Sequence, residues 1–242
     1  MSSRSTPRLH VSAPLAAGSS LPLPPGPSRH AQVLRLQPGD AVTLFNGDGG
    51  EWEARIVRMG RSEVDVQVER HEPVDRELPI DVTLAVGMPA NERMDWLVEK
   101  ATELGVAAIQ PLVCERSVLR LSGERAQKKV AHWTAVAVGA SEQCGRTRVP
   151  RVEPVRALAG WCAALPPGGA GLRAVLSLQH AQPLAALPAA GAALFLSGPE
   201  GGLTAAEEAL ARQAGFRAAS LGPRVLRAET APLAALALLG LR

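Results

Sequence analysis

The amino-acid sequence predicts an α/β protein in two parts: a small β-barrel or meander, then a mostly parallel sheet with helices packed on it. Three observations predict this. Over the first third, short apolar-alternating segments are separated by turn residues, and no helical periodicity competes with them. From about Leu78 onward, candidate strands alternate with amphipathic helices, the order that a parallel sheet with crossover helices requires. Between the two, Pro73 and Pro79 bracket the charged Asp75, Arg76 and Glu77, which sets domain limits of residues 1–76 and 77–242.

In the first domain, residues 32–36, 41–45, 52–59 and 63–69 read as strands. Pro38-Gly39-Asp40, Asn46-Gly47-Asp48-Gly49-Gly50 and Gly60-Arg61-Ser62 supply the turns, because glycine and asparagine tolerate positive φ and aspartate bonds its own backbone. Val64, Val66 and Val68 alternate with Asp65, Gln67 and Glu69, the period of a strand with one buried face. In the second domain, residues 80–86 read as a strand and 92–104 as a helix with Met94, Leu97, Val98, Ala101 and Leu104 on one face. Gly105 stops that helix. A strand at 108–113, helices at 124–140 and 157–165, and strands at 172–178 and 192–197 follow, the last running into Gly198. Thr204-Ala205-Ala206-Glu207 is a capping box: the Thr204 hydroxyl accepts from the Glu207 amide while the Glu207 carboxylate reaches back. The helix it opens runs to Ala214. A strand at 216–221 ends at Gly222-Pro223, and a final helix at 230–239 carries Pro232 in its first turn, where a missing amide is harmless.

The chain has 242 residues, 46% hydrophobic and 20% charged, enough apolar content to bury a core and to exclude disorder or a collagen repeat. The best apolar run, residues 233–241, is about half the roughly 20 residues that a membrane span needs, and it follows Pro232. Near the N-terminus, Arg4 and Arg8 precede a stretch broken by Pro14, Pro22, Pro24, Pro25 and Pro27, which no helical signal-peptide core tolerates. The expected location is cytoplasmic. Cys114, Cys144 and Cys162 are odd in number and never spaced Cys-x-x-Cys, and His10, His30, His71, His132 and His180 lack ligand-like spacing. Neither a disulfide framework nor a metal site is expected.

Net charge is +3, and it is unevenly placed. Residues 1–76 hold 9 basic and 9 acidic side chains, whereas residues 114–156 hold 9 basic against 4 acidic. Arg116, Arg120, Arg125, Lys128, Lys129, Arg146, Arg148, Arg151 and Arg156 form this excess. Such a surplus favours a polyanion through counterion release, although a charge run by itself reads first as a solvated face. With 3% aromatic residues and no Tyr, base stacking on an aromatic platform is a poor model for any RNA contact.

Two glycine-rich turns lie where strands end: Gly198-Pro199-Glu200-Gly201-Gly202, and the run from Leu221-Gly222-Pro223-Arg224 through Val225-Leu226-Arg227-Ala228-Glu229-Thr230. Open α/β sheets bind ligands outside the carboxyl ends of their strands, and glycines let a ligand approach the backbone closely. Neither turn carries the Gly-x-Gly-x-x-Gly fingerprint or a phosphate-loop Lys-Ser/Thr ending, so nicotinamide and nucleoside-triphosphate enzymes are disfavoured. Either turn alone reads as an ordinary strand-to-helix connection. Two of them, with Arg227 and Glu229 two residues apart, point to a site.

These two turns closely resemble the C-terminal motifs of the RsmE family, the 16S rRNA (uracil(1498)-N3)-methyltransferases of the SPOUT class. Further matches are HAQVLRLQPGD at 30–40, NERMDWLVEKATELGV at 91–106, PLVCERS at 111–117 and EQCGRTRVP at 142–150. Two departures are the Arg8-Leu9-His10-Val11 start and Ala90 in place of a basic residue. The resemblance implies a PUA-like RNA-binding β-barrel over residues 1–76, then a SPOUT-type α/β domain over 77–242 with a C-terminal trefoil knot. It implies S-adenosyl-L-methionine as cofactor, homodimerisation, and 16S rRNA or the small ribosomal subunit as partner. It places the cofactor against Leu178, Gly198, Pro199, Glu200, Gly201, Gly202, Leu221, Gly222, Val225, Leu226 and Arg227.

The implied chemistry assigns roles. The N3 position of uracil is protonated at neutral pH, so its lone pair becomes available as the proton leaves and negative charge spreads over the flanking carbonyls. Arg227 is the candidate stabiliser of that charge, a guanidinium with fixed donors. Glu229 is the candidate proton acceptor, its alternative being an ion pair with Arg227 at the start of the last helix. Arg8, Arg29, Arg35, Arg116, Arg146 and Arg148 are candidate RNA contacts. Glu142 and Gln143, with Arg146, form a polar cluster suited to holding a flipped base, to a dimer interface, or to an exposed helix end. A methyltransferase of the same class acting on another RNA, and a catalytically silent RNA-binding module, are the alternatives.

Overall fold

The computed structural model describes residues 6–90, 92–168, 171–188 and 190–240, which divide into two compact units. The first is Met1–Glu77 with Ser141–Val149; the second is Leu78–Ala140 with Pro150–Arg242. Arg4, Asn91 and Leu241 lie outside the described residues.

The first unit contains β1 (Arg8–His10), β2 (Ser20–Pro22), α1 (Pro25–Val33), β3 (Ala41–Phe45), β4 (Glu51–Met59) and β5 (Val64–Glu72). Its sheet runs β1-β3-β4-β5-β2, with β1 parallel to β3 and the other pairs antiparallel. The valine alternation holds: Val64, Val66 and Val68 are buried together with Leu9, Leu44 and Ile56.

One expectation fails here. Residues 32–36 are not a strand, and the first third does contain a helix. Pro25 and Pro27 open α1, because prolines in the first turn have no intrahelical acceptor to miss and carry a preset φ. Leu34 and Leu36 then close the helix, donating to the carbonyls of His30 at 3.0 Å and Ala31 at 3.1 Å. The apolar residues that suggested a strand face outward: Val33 and Leu34 are exposed, while Ser28 and Ala31 are buried.

The second unit contains β6 (Asp81–Gly87), α2 (Glu92–Glu103), β7 (Ala108–Val113), α3 (Gly123–Cys144), β8 (Arg151–Val152), β9 (Arg156–Ala157), α4 (Leu158–Ala163), β10 (Leu172–Leu176), β11 (Gln182–Pro183), β12 (Ala192–Ser197), α5 (Ala205–Gln213), β13 (Arg217–Ser220) and α6 (Thr230–Gly240). Helix α3 runs past the expected stop at Ala140, and its last turn, from Ser141, counts with the first unit. Every pair in the sheet is parallel, in the order β11-β13-β10-β12-β6-β7-β8, with β9 also on β7. Helix α2 buries Met94, Leu97, Val98 and Ala101 as its periodicity requires. Helix α6 buries Pro232, Leu233, Ala235, Leu236 and Leu239 and packs against α2, β12 and β6. No helix among the described residues is long and apolar enough to cross a membrane.

Candidate active site

The order β13-β10-β12 sets three carboxyl ends side by side, at Ser220, Leu176 and Ser197. In a parallel sheet such ends leave a crevice where the following turns diverge. The turns here enclose a cavity of about 480 Å³, within the range typical of small-molecule sites. Of the residues expected at a cofactor, Leu178, Gly198, Pro199, Glu200, Gly202, Leu221, Val225, Leu226 and Arg227 line it. Gly201 and Gly222 do not. Gly201 backs onto Arg116, and Gly222 turns the chain at φ +101°.

Small residues are needed where the first turn folds on itself. A Cβ on Gly198 would lie 2.7 Å from the Leu203 nitrogen and 2.8 Å from the Gly202 carbonyl carbon, both backbone and unable to yield. At the end of β6, a Cβ on Gly87 would sit 2.6 Å from the Pro199 nitrogen. The turn is then tied down by polar bonds. The Gly202 amide donates to the Pro199 carbonyl at 2.8 Å, and Arg116 Nη1 donates to the Gly201 carbonyl at 2.9 Å. Glu200 Oε1 accepts from the Ala90 amide at 2.9 Å and from Arg93 Nη1 at 3.3 Å. The capping box of α5 forms as its motif requires, and buried Glu207 also accepts from the Glu115 amide at 2.8 Å. On the other turn, the Arg227 carbonyl accepts from the Thr230 and Ala231 amides at 3.0 and 3.1 Å, so the start of α6 fixes the backbone that carries Arg227.

Among the other lining residues, Ser177, Gln179, Ser197 and Glu208 stand outside the quoted motifs and carry no signal there, whereas Arg93 and Arg224 stand inside them. Ser197 had the nearest thing to one, as the last strand residue before a glycine turn. Its hydroxyl is buried with no hydrogen-bond partner among the described residues. Arg93 and Glu208 arrive from α2 and α5, which only the packing brings to the cavity.

Glu229 is 8% exposed, lies off the cavity, and has an Oε2 without a hydrogen-bond partner among the described residues. The ion pair that the sequence allows between Arg227 and Glu229 is not formed among the described residues. Cys114 and Cys162 are buried free cysteines. Burial, with the Glu207 carboxylate adding to it, pushes the Cys114 thiol up to about 12 against the opposing hydrogen bond of Ser117, and burial raises Cys162 too. Neither is a thiolate at neutral pH. Among the described residues, no group of three or more His, Cys, Asp or Glu is placed to hold a metal ion.

The candidate RNA contacts divide sharply. Within the first unit, Arg146 is 4% exposed and ion-paired to Glu77. Arg8 is ion-paired to Glu51, donates to the Arg146 carbonyl at 2.9 Å, and stands 5.1 Å over the Phe45 ring. Glu142 accepts from the His10 amide at 2.9 Å and pairs with His30 Nδ1 at 3.2 Å. These three are committed to internal partners. Gln143, Arg29, Arg35 and Arg148 are exposed in the first unit, and Arg116 is exposed in the second. Burial pushes the His10 ring below its usual range, against the pull of Glu142. Glu51 is raised by burial, but the hydrogen bonds and charges of Arg76 and Arg8 outweigh this and hold its carboxyl below the ordinary value.

A family model described as an RNA methyltransferase domain matches residues 76–240, and one described as an RNA methyltransferase PUA domain matches residues 28–69. The protein named ribosomal RNA small subunit methyltransferase E in Bacillus subtilis is 35% identical over 215 residues, covering 84% of this chain and 82% of that one. Its namesake in Synechocystis sp. is 34% identical over 223 residues, covering 85% and 67%. A crystal structure of a ribosomal RNA small subunit methyltransferase E from Neisseria gonorrhoeae, bound to S-adenosyl methionine, superposes with a TM-score of 0.90 at 36% identity over 96% of both chains. A Legionella pneumophila methyltransferase in complex with SAM superposes with a TM-score of 0.91 at 34% identity, over 97% of this chain and 96% of that one.

Proposed function

The chain belongs to the ribosomal RNA small subunit methyltransferase E family, and from that premise we propose that it methylates N3 of a uridine in 16S rRNA, using S-adenosylmethionine. One observation carries the reading for this chain. The cavity at the ends of β13, β10 and β12 is walled by the two glycine turns and is lined by Ser197, whose buried hydroxyl has no partner among the described residues. Its volume, its exposed backbone and that hydroxyl fit an adenosyl group better than packed hydrocarbon.

When bound, the cofactor supplies a methyl already activated by its sulfonium. The chain's own task is to hold it and to prepare the nucleophile. The residues at 198–200, 202, 221 and 225–227 hold the cofactor, mostly through backbone groups. Arg227, at the mouth, stabilises the negative charge that grows as the uracil N3 proton leaves. Glu229, buried off the cavity just before α6, serves in this reading as a carboxylate at the N-terminus of that helix, and its position does not favour contact with the base.

Residues 1–76 serve in this reading to hold RNA and residues 77–242 to transfer the methyl, with the last turns threaded as the trefoil knot and two copies forming the dimer. Exposed Arg29, Arg35, Arg116, Arg148 and Gln143 contact RNA, while Arg8, Arg146 and Glu142 shape the surface that carries them. Mass mapping of 16S rRNA from a deletion strain tests the reading: loss of one N3-methyluridine, restored by the gene, is expected. A lost methyl in a different RNA would move the substrate. No calorimetric response to S-adenosylmethionine would leave an RNA-binding module.

A further inference from the structure

The third wall of the cavity comes from residues 176–179, and it has its own fastening. Ser177 Oγ donates to Glu208 Oε1 at 3.0 Å and accepts from the Gln179 amide at 3.1 Å. The Ser177 amide donates to the Ala219 carbonyl at 3.0 Å, which ties the segment to β13. The turn that follows is strained, because His180 sits at φ +50°, where a side chain is unfavourable. A turn that stores strain needs bonds to hold it. Leu178 at its tip lines the cavity while 54% exposed, so little hydrocarbon packing fixes it.

Glu208 supplies the missing bond. It stands in the first turn of α5, where an acidic residue is expected for the helix dipole alone, and Arg212 Nη1 lies 3.4 Å from its Oε2. That explanation does not account for the orientation. Glu208 Oε1 points to Ser177, Glu208 lines the cavity, and its side chain is 18% exposed, whereas Arg212 is 53% exposed. We infer that Glu208 clips the Ser177 hydroxyl and thereby holds the 177–180 turn in the shape that receives the cofactor. Glu208 is thus a positioning residue for donor uptake, acting through Ser177. The inference rests on the assignment of this cavity to S-adenosylmethionine.

Two readouts test it, one of them without ligand. In the free full-length protein, Glu208→Ala and Ser177→Ala should each speed amide exchange at Gln179 about tenfold, as a local opening loses its bond. Calorimetry with S-adenosylmethionine and with its demethylated product should show both variants about tenfold weaker, and the donor KM should rise to match while kcat falls less than about twofold. Glu208→Gln keeps an acceptor oxygen for Ser177 and should bind within about twofold of wild type. The double variant should be no weaker than either single one, because one clip has been removed. Unchanged Gln179 exchange, unchanged affinity in Glu208→Ala, or a Glu208→Gln loss as large as that of Glu208→Ala would each overturn the inference while wild type still binds. A wild-type protein that takes up neither ligand would overturn the cofactor assignment, and the inference with it.

Discussion

The arginines at the centre of the first unit are paired and largely buried, whereas Arg224 and Arg227 beside the cavity of the second are exposed. Around Arg8, Glu51, Arg76, Glu77, Glu142 and Arg146, side chains pair with one another and with backbone carbonyls. Around the cavity, the glycine turns stand beside Arg93, Glu200, Glu208, Arg224 and Arg227, and the buried Ser197 hydroxyl has no partner among the described residues. Buried charge is tolerated only when paired, so the first network maintains structure. Buried hydroxyls without a partner among the described residues occur in both units, at Ser141 and Thr147 as well as at Ser197, and of these Ser197 lines the cavity. Charge in a sequence is therefore a poor guide to ligand contact in this protein, because packing decides which charges are already paired.

Four experiments press on that contrast, starting with the largest expected effect. Arg146→Ala strands Glu77 and should destabilise the first unit by about 3–5 kcal/mol, the usual penalty for breaking a buried pair. Hydrogen exchange of the β3–β5 amides in urea measures it, and a loss below about 1 kcal/mol would show the network to be dispensable. Arg227→Ala should leave donor affinity within about twofold but slow single-turnover methyl transfer by about a hundredfold, as expected for one charge-stabilising donor. Retained transfer would remove Arg227 from the chemistry. Gly198→Ala forces a methyl onto backbone and should weaken donor binding by about 1–3 kcal/mol, read by calorimetry. A variant that binds normally would mean the turn is not the cradle.

The smallest effect is pH dependence in the first unit. His10 is held below its ordinary 6.5, so the unfolded chain binds its proton first and stability declines as pH falls through 6.5 toward the depressed value. Glu51 is held below its ordinary 4.5, so the stability it contributes is present above 4.5 and is lost as pH falls through the lower folded value. Thermal melts should drop in two stages on acidification, and His10→Asn should remove the upper stage alone.

The legible parts of the fold were those with a local cause. The valine alternation of β5, the apolar face of α2 and the capping box of α5 each follow from spacing within one segment, and each formed. The glycine turns were legible for the same reason, since the requirement at Gly198 is met by residues four and five positions away. Helix α1 was missed because apolar Val33 and Leu34 imitate a strand when their exposure is unknown.

What the sequence settled by itself was the two-part architecture, the two turns and the family motifs, because periodicity, turn chemistry and motif spacing act over a few residues. Tertiary packing alone decided which charges are free. Arg8 and Arg146 are 138 positions apart yet share a hydrogen bond, and Ser177 meets Glu208 across 31 positions. A side chain's availability depends on what the chain brings back to it, and that pairing of distant residues is written in no single stretch of sequence.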